Sequence, residues 1–143
     1  MIYKLEKLKQ LFDRLVGRVN KHGGSVIILS STQVDSLCAT KLLTSLLVSE
    51  NISYRIFPIT DYVRFTKQVN SFGDEFMYLI CVNCGGRIDL KKEINDYYKK
   101  KVEILLLDSH RPIHHANFET DSRLTIIDDQ TIDFKSFPTK EEF

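Results

Sequence analysis

Ser25-Val26-Ile27-Ile28-Leu29-Ser30 is a short run of β-branched and apolar residues with a serine at each end. A continuous apolar run of about four to eight residues predicts a strand that is buried on both faces of a sheet. Two later runs, at residues 76–82 and 102–107, have the same character. Residues 53–58 and 124–128 are further strand candidates. The chain therefore predicts several strands inside a covered sheet.

Helical patterns separate these runs. From Ile2 to Val19, apolar residues recur at spacings of three and four, which predicts an amphipathic helix that ends at the glycine pair 23–24. Three more helices are predicted at residues 36–48, 61–72 and 89–99. In the helix at 36–48 we expect the core side to consist of Leu37, Leu42, Leu43, Leu46 and Leu47.

Strands that alternate with helices of this length indicate βαβ units and a mostly parallel sheet. Crossovers between parallel strands are right-handed. Strands buried on both faces require helices on both faces of the sheet. The sequence contains no internal repeat, linker or low-complexity stretch. We therefore predict one three-layer α/β domain over residues 1–143.

The composition excludes several classes of protein. Lys and Arg number 20 against 19 Asp and Glu, so the formal charge of +1 excludes a nucleic-acid clamp that works through bulk positive charge. A local basic patch is still compatible with this net charge. Apolar runs are far shorter than the roughly 18–20 residues that span a bilayer, so no membrane association is expected. Three Cys in a chain that begins without a signal-peptide pattern indicate reduced thiols.

Polar residues cluster where three of the predicted strands end. They lie at residues 31–35, at 83–86 and at 108–110. Sites in open α/β sheets form at the carboxyl ends of strands, so Asp35, Asn83, Asp108 and His110 are expected to converge in one crevice. Carboxylate and imidazole groups there are ligands for a divalent metal ion. The alternative is that Asp35 caps a helix and Asp108 caps a turn.

Three motifs lie at or after the ends of predicted strands: Val34-Asp35-Ser36-Leu37-Cys38-Ala39, Val82-Asn83-Cys84-Gly85 and Asp108-Ser109-His110-Arg111-Pro112. Their order and spacing resemble the cell division cycle protein 45 family. This family of eukaryotic replication factors is related to the DHH and RecJ phosphoesterases. The resemblance extends from the first helix to about Phe137. It implies a DHH (RecJ-like) fold, of which residues 1–143 would form the N-terminal part of a longer protein.

The resemblance also implies which residues occupy the metal-ligand positions. DHH enzymes hold two metal ions, usually manganese, through a His-x-Asp-x-Asp motif, an Asp after a later strand and an Asp-His-His triplet. On this chain these positions are Ser31, Gln33, Asp35, Asn83, Asp108, Ser109 and His110. Only Asp35, Asp108 and His110 keep a ligand type. Neutral hydroxyl and amide groups do not offset the charge of two cations, so we expect no bound metal, no other cofactor and no phosphoesterase activity.

Without metal ions, the two carboxylates at Asp35 and Asp108 would need another partner. We expect an internal polar network in their place, with His110 or Arg111 as the cationic member. The function that the resemblance implies is non-catalytic. Family members join the MCM helicase ring and the GINS complex in the replicative helicase, in the nucleus, and support origin firing and fork progression. The sequence alone does not assign residues to these partners.

Several alternatives stay open on the sequence. The main one is an active metal-dependent phosphoesterase or exonuclease with a reduced site of Asp35, Asp108 and His110. The pattern Cys81-x2-Cys84 with His110-x3-His114 superficially offers zinc ligands, but the 25 residues between Cys84 and His110 exceed the usual gap and Cys81 lies in a predicted strand. The glycines at 85–86 form either a phosphate cradle or a tight turn.

A basic stretch is the candidate contact for single-stranded DNA. Lys99, Lys100 and Lys101 follow Tyr97 and Tyr98. Lysines would contact phosphates and tyrosines would stack on bases in such a site. The alternative is a solvated helix face. A plain nucleic-acid-binding module is the third functional reading, but the near-neutral charge does not favour it.

Overall fold

The structure is a computed structural model that describes residues 2–72, 76–94, 102–118 and 123–128. The strands are β1 (Ile2–Lys4), β2 (Ser25–Ser31), β3 (Tyr54–Ile59), β4 (Phe76–Val82), β5 (Glu103–Leu107) and β6 (Leu124–Asp128). The helices are α1 (Leu8–His22), α2 (Val34–Ser49), α3 (Tyr62–Asn70) and α4 (Leu90–Glu93), with short 3-10 turns at Leu5–Lys7 and His115–Phe118.

These strands form one parallel sheet in the order β1-β6-β5-β4-β2-β3. From β2 the chain moves outward to β3, then returns to β4 on the other side of β2 and continues toward β6. The direction of winding therefore reverses between β2 and β4. In open α/β sheets a crevice forms at such a reversal, outside the carboxyl ends of the strands.

Side chains of the central strands alternate between two separate cores. On β2, Ile27 and Leu29 pack with α3 and α4, whereas Val26 and Ile28 pack with α1 and α2. All four side chains are fully buried, as the continuous apolar run predicted. The predicted three-layer, mostly parallel α/β arrangement is confirmed.

The N-terminal prediction was wrong at its start. Ile2–Lys4 is not helical; it is the edge strand β1, which pairs in parallel with β6 so that Ile2 lies beside Ile126. The helix begins only at Leu8. The spacing of Ile2 and Leu5 fitted a helix, but a three-residue strand is too short to show its own alternation. Pairing with a distant strand decided its conformation.

The predicted core side of α2 was also wrong. Leu47 is buried and Leu43 is half-buried, whereas Leu37, Leu42 and Leu46 are exposed. The inward positions are occupied by Ser36, Thr40, Thr44 and Leu47. Thr40 Oγ1 donates to Ser30 Oγ at 2.9 Å, so small hydroxyl side chains pack α2 against β2. Leu37, Leu42 and Leu46 consequently face outward.

The remaining predictions differ from the structure mainly at element ends. The strand predicted at 53–58 spans Tyr54–Ile59, and the helix predicted at 61–72 spans Tyr62–Asn70. Of the helix predicted at 89–99, only Leu90–Glu93 is described, and residues 95–101 lie outside the described residues. Within the described part of the chain, no helix is long and apolar enough to cross a membrane.

Candidate functional site

A cavity of about 340 Å³ opens at the carboxyl ends of the strands, where the winding reverses. Its wall combines the loops that follow β2, β3, β4 and β5. The lining residues are Ser31, Thr32, Gln33, Ile59, Thr60, Asp61, Tyr62, Asn83, Cys84, Arg87 and His110. The cavity lies where the sequence predicted a crevice. Of the four residues expected to converge there, Asn83 and His110 line it, whereas Asp35 and Asp108 are not among the lining residues.

The Asn83 side chain, which belongs to the strand-end group after β4, bonds to residues that follow β2 and β5. Its Nδ2 donates to Asp35 Oδ2 at 2.9 Å and to Ser36 Oγ at 3.0 Å. Its Oδ1 accepts from Ser109 N at 3.0 Å and from Ser109 Oγ at 2.9 Å. A carboxylate only accepts and a backbone N–H only donates, so these partners fix the orientation of the amide. One side chain thus connects the ends of β2, β4 and β5.

The backbone holds Asn83 in this bridging position. Asn83 has a φ of 51°, in the left-handed region that Asn tolerates better than most residues. Its N–H donates to Leu107 O at 2.7 Å, which continues the pairing of β4 with β5 by one bond. The side chain therefore leaves a fixed point at the edge of the crevice.

Asp108 forms a second, buried corner. Oδ1 accepts from His110 N at 2.9 Å and lies 2.7 Å from His110 Nδ1, while Oδ2 accepts from Gly86 N at 2.9 Å. The Asp108 side chain is 1% exposed. His110 is thus the imidazole partner that the expected polar network requires. Arg111 instead donates from Nη1 to the main-chain oxygens of Asp108 and His110.

Gly86 and Asn117 fix the loop that faces Asp108. A Cβ on Gly86 would lie 2.7 Å from Asp108 Oδ2, so the carboxylate occupies the space of a side chain. Asn117 is fully buried; its Oδ1 accepts from Leu90 N, and its Nδ2 donates to the main-chain oxygens of Gly86 and Ile88. The glycine pair therefore forms a tight turn, and Asn117 is a structural residue that sequence reasoning missed.

The end of β2 carries the other predicted positions. Ser31 Oγ lies 2.6 Å from Ser36 Oγ, and Asp35 Oδ1 accepts from Ser36 N at 2.9 Å. Gln33 is the N-terminal flanking residue of α2 and makes no side-chain capping bond. Asp35 thus lies in the first turn of α2 and does not cap it. The alternative that Asp108 caps a turn agrees with the structure, because Asp108 Oδ1 accepts from His110 N and so closes a turn.

The mouth of the cavity carries charges of both signs. Burial raises the pKa of Tyr62, and the negative charge of Asp108 raises it further, whereas Arg87 lowers it. Asp61 Oδ1 accepts from Arg64 N at 2.8 Å at the start of α3, and this hydrogen bond is the largest of the effects that lower the pKa of Asp61. Arg87 and Asp61 thus offer no uniform charge to a ligand.

The remaining candidates are dispersed. Cys81 is buried in β4, where a hydrogen bond with Cys84 and burial raise the pKa of its thiol; Cys84 Sγ donates to Leu29 O at 3.3 Å. His114 stacks on His115 with ring centres 4.5 Å apart. The cysteines are therefore structural, and the zinc pattern does not assemble. Lys99, Lys100 and Lys101 lie outside the described residues.

The residues present do not fit the two metal ions of a DHH enzyme. Asn83 directs an N–H donor at Asp35, where a cation would need a lone pair, and both oxygens of Asp108 already accept hydrogen bonds from the protein. Across the described residues, no group of three or more His, Cys, Asp or Glu side chains is placed to hold a metal ion. The network supports polar cross-linking of three strand ends.

The parallel sheet and its strand-end crevice define a protein with a RecJ-like α/β fold. The fold matches RecJ from Thermus thermophilus in complex with Mn²⁺ with a TM-score of 0.61 and 19% identity, over 90% of this chain and 18% of that one. At this identity the match shows the fold alone.

The chain belongs to the CDC45 family, whose model matches residues 26–142. It is 34% identical to the cell division control protein 45 homolog of Dictyostelium discoideum over 87% of this chain and 19% of that protein. The corresponding values for the Schizosaccharomyces pombe homolog are 32%, 78% and 18%. CDC45 from Entamoeba histolytica gives a TM-score of 0.77 at 20% identity, over 90% of this chain and 25% of that one. The family resemblance is confirmed, and the chain spans about a fifth of the length of these curated relatives.

Proposed function

We propose that the chain acts within a non-catalytic DNA replication factor, as a component of the replicative helicase assembly with the MCM ring and the GINS complex. Membership of the CDC45 family supports the assignment to replication. On this proposal the protein acts in the nucleus. It works by binding partners and not by turnover.

The bridge made by Asn83 is the observation that carries the non-catalytic part. In a two-metal site, cations stabilise the attacking and leaving oxygens, and carboxylates supply the compensating negative charge. Here a neutral amide links Asp35 to Ser109. The reduced site of Asp35, Asp108 and His110 is not favoured, because His110 contacts Asp108 while Asp35 is bonded to Asn83.

The catalytic part of the proposal is tested by an assay for hydrolysis. The purified chain is incubated with Mn²⁺ and either a single-stranded oligonucleotide or a dinucleotide, and cleavage products are quantified. We expect no cleavage above the level of a buffer control. Turnover that disappears in Asp108→Ala, purified in the same way, would overturn the proposal, because contaminating nuclease would persist in that variant.

The partner part is tested separately with the purified MCM ring and the purified GINS complex. The immobilised chain is expected to bind at least one of them, as measured by biolayer interferometry. Circular dichroism of the same preparation checks that the chain is folded. A folded chain that binds neither complex would contradict the assignment to the helicase assembly.

A further inference from the structure

Helix α2 carries a group of apolar side chains on its outward side. Val34, Leu37, Leu42, Leu46 and Val48 are each more than half exposed, with Val34 at 78% and Leu42 at 70%. The inward side carries hydroxyl groups, which bond to β2. A surface helix normally shows the reverse arrangement. Exposed apolar side chains in such a group mark an interaction site.

The outward residues form a regular packing surface. Val34, Cys38, Leu42 and Leu46 follow one another at intervals of four, which places them along one ridge of the helix. Cys38 is exposed with them. Ridges of this kind pack into the groove between the ridges of a second helix. The surface therefore has the geometry for a helical ligand.

One positive charge lies within this apolar surface. Lys41 is the single charged residue between Ser36 and Ser49, and it occupies the row next to the ridge. Lys41 is exposed, and within the described residues its ammonium group has no carboxylate partner. A binding partner that covers the ridge would also approach this charge, and a carboxylate is the group that complements it.

We propose that the outward face of α2 binds an amphipathic helix of a partner protein, with apolar side chains on the Val34–Leu46 ridge and a carboxylate against Lys41. This inference names a binding surface for the proposed function. It rests on that function in one respect, since both require a protein partner.

The position of Lys41 argues against two other occupants. Lys41 lies at the middle of Val34–Ser49, so a two-fold pairing of α2 with a second copy would bring two ammonium groups together. An anionic membrane surface is bound through several basic residues on the polar side of a helix, whereas residues 36–49 of α2 carry one. A helix of a partner protein can pack apolar side chains on the ridge and place an acidic residue against Lys41.

The test uses the full chain and two labelled helical peptides that share the same leucine stripe. One peptide carries a glutamate beside the stripe and the other carries a lysine at that position. By fluorescence anisotropy we expect the glutamate peptide to bind about tenfold more tightly than the lysine peptide. Leu42→Glu should abolish binding of both peptides, and Lys41→Glu should reverse the preference.

Val63→Glu on α3 is the matched control, since Val63 is an apolar residue of similar exposure, at 66%. It should bind both peptides as the unchanged chain does. No peptide binding, equal affinity for the two peptides, or binding that survives Leu42→Glu overturns the proposal. A dimer in sedimentation, or flotation with phosphatidylserine vesicles, that Leu42→Glu removes would also overturn it. This experiment uses neither MCM nor GINS, so its outcome is independent of the assays that test the proposed function.

Discussion

Two aspartates lie near the carboxyl ends of the central strands: Asp108 follows β5 (the β5 corner), and Asp35 lies in the first turn of α2, after β2 (the β2 corner). The two carboxylates have different surroundings. Asp108 is buried and accepts two backbone N–H groups and the imidazole of His110. Asp35 is exposed and accepts one backbone N–H and the amide of Asn83. The sequence resemblance assigns both residues to metal-ligand positions of DHH enzymes, and in this structure Asp108 is the one that joins the loops after β4 and β5.

The contacts of Asp108 give this carboxylate a structural role. Asp108 fixes the turn at Gly86 and orients His110, and these contacts explain its presence without a metal ion. Buried carboxylates whose oxygens are all engaged are costly to replace. An exposed carboxylate such as Asp35 can exchange its partners for water at little cost. Substitutions at the two corners should therefore differ in their effect on stability.

The largest effect is expected for Asp108→Asn. An amide would direct N–H groups at one of the two backbone N–H donors, so a buried hydrogen bond is lost and replaced by repulsion. Hydrogen bonds to charged groups contribute about 1.5–3 kcal/mol, so the free energy of unfolding should fall by about 2–3 kcal/mol. Urea denaturation followed by circular dichroism measures it.

Asp89→Asn is the control for this change. Asp89 accepts one hydrogen bond, from Lys92 N, at the start of α4, and an Asn oxygen can accept the same bond. Its cost should stay below about 0.5 kcal/mol. Equal losses in the two variants would mean that the buried corner has no special structural role.

A smaller effect is expected for Asn83→Asp, which tests the link between the corners. The new carboxylate would face Asp35 Oδ2 at the present distance of 2.9 Å, while Ser109 could still donate to it. Two carboxylates in contact raise the pKa of one of them. A raised pKa makes the folded state less stable above that pKa. The free energy of unfolding of this variant should therefore lie about 1–2 kcal/mol below that of the unchanged chain at pH 7, and this deficit should shrink toward pH 4.

Asn83→Gly separates charge repulsion from the loss of hydrogen bonds. Glycine accepts the φ of 51° but makes none of the four side-chain bonds. Its deficit should not change between pH 4 and pH 7. If the deficit of Asn83→Asp also stayed constant between pH 4 and pH 7, repulsion between the two carboxylates would not contribute to it. The neutral charge of the Asn83 amide would then have no role in stability.

Much of the fold could be predicted because buried parallel strands leave a simple sequence pattern. The continuous apolar runs at 25–30 and 76–82 identified the two strands beside the winding reversal. The orientation of α2 could not be predicted, since apolar residues occur on both of its sides and hydroxyl groups at the end of β2 decide which side faces inward. The strand β1 depended on a partner more than 120 residues away.

The candidate site was predicted in its residue types but not in its connections. The sequence predicted that Asp35, Asn83, Asp108 and His110 converge. The structure bonds Asn83 to Asp35 and His110 to Asp108. The prediction did not foresee that Ser109 is the residue of the third strand end that bonds to Asn83. Asn117 gave no signal, because its partners at residues 86–90 are far from it in the sequence. Which hydrogen bond each polar group makes depends on loop conformations that no periodicity records.

The smallest effect at the two corners is expected for Asp35→Ala. Asn83 Nδ2 keeps Ser36 Oγ as an acceptor, but the N–H of the fully buried Ser36 loses its bond to the carboxylate. Alanine is the better helix former and offsets part of this loss, so the free energy of unfolding should fall by about 1 kcal/mol.

The double variant Asp35→Ala/Ser36→Ala should show what the single change conceals. It removes both acceptors of Asn83 Nδ2, so its cost should exceed the sum of the two single changes by about 1 kcal/mol. Urea denaturation of the four proteins gives this coupling directly. Additive losses would mean that the bridge does not depend on the pair of acceptors at the start of α2. A single Asp35→Ala as costly as Asp108→Asn would mean that the two corners do not differ.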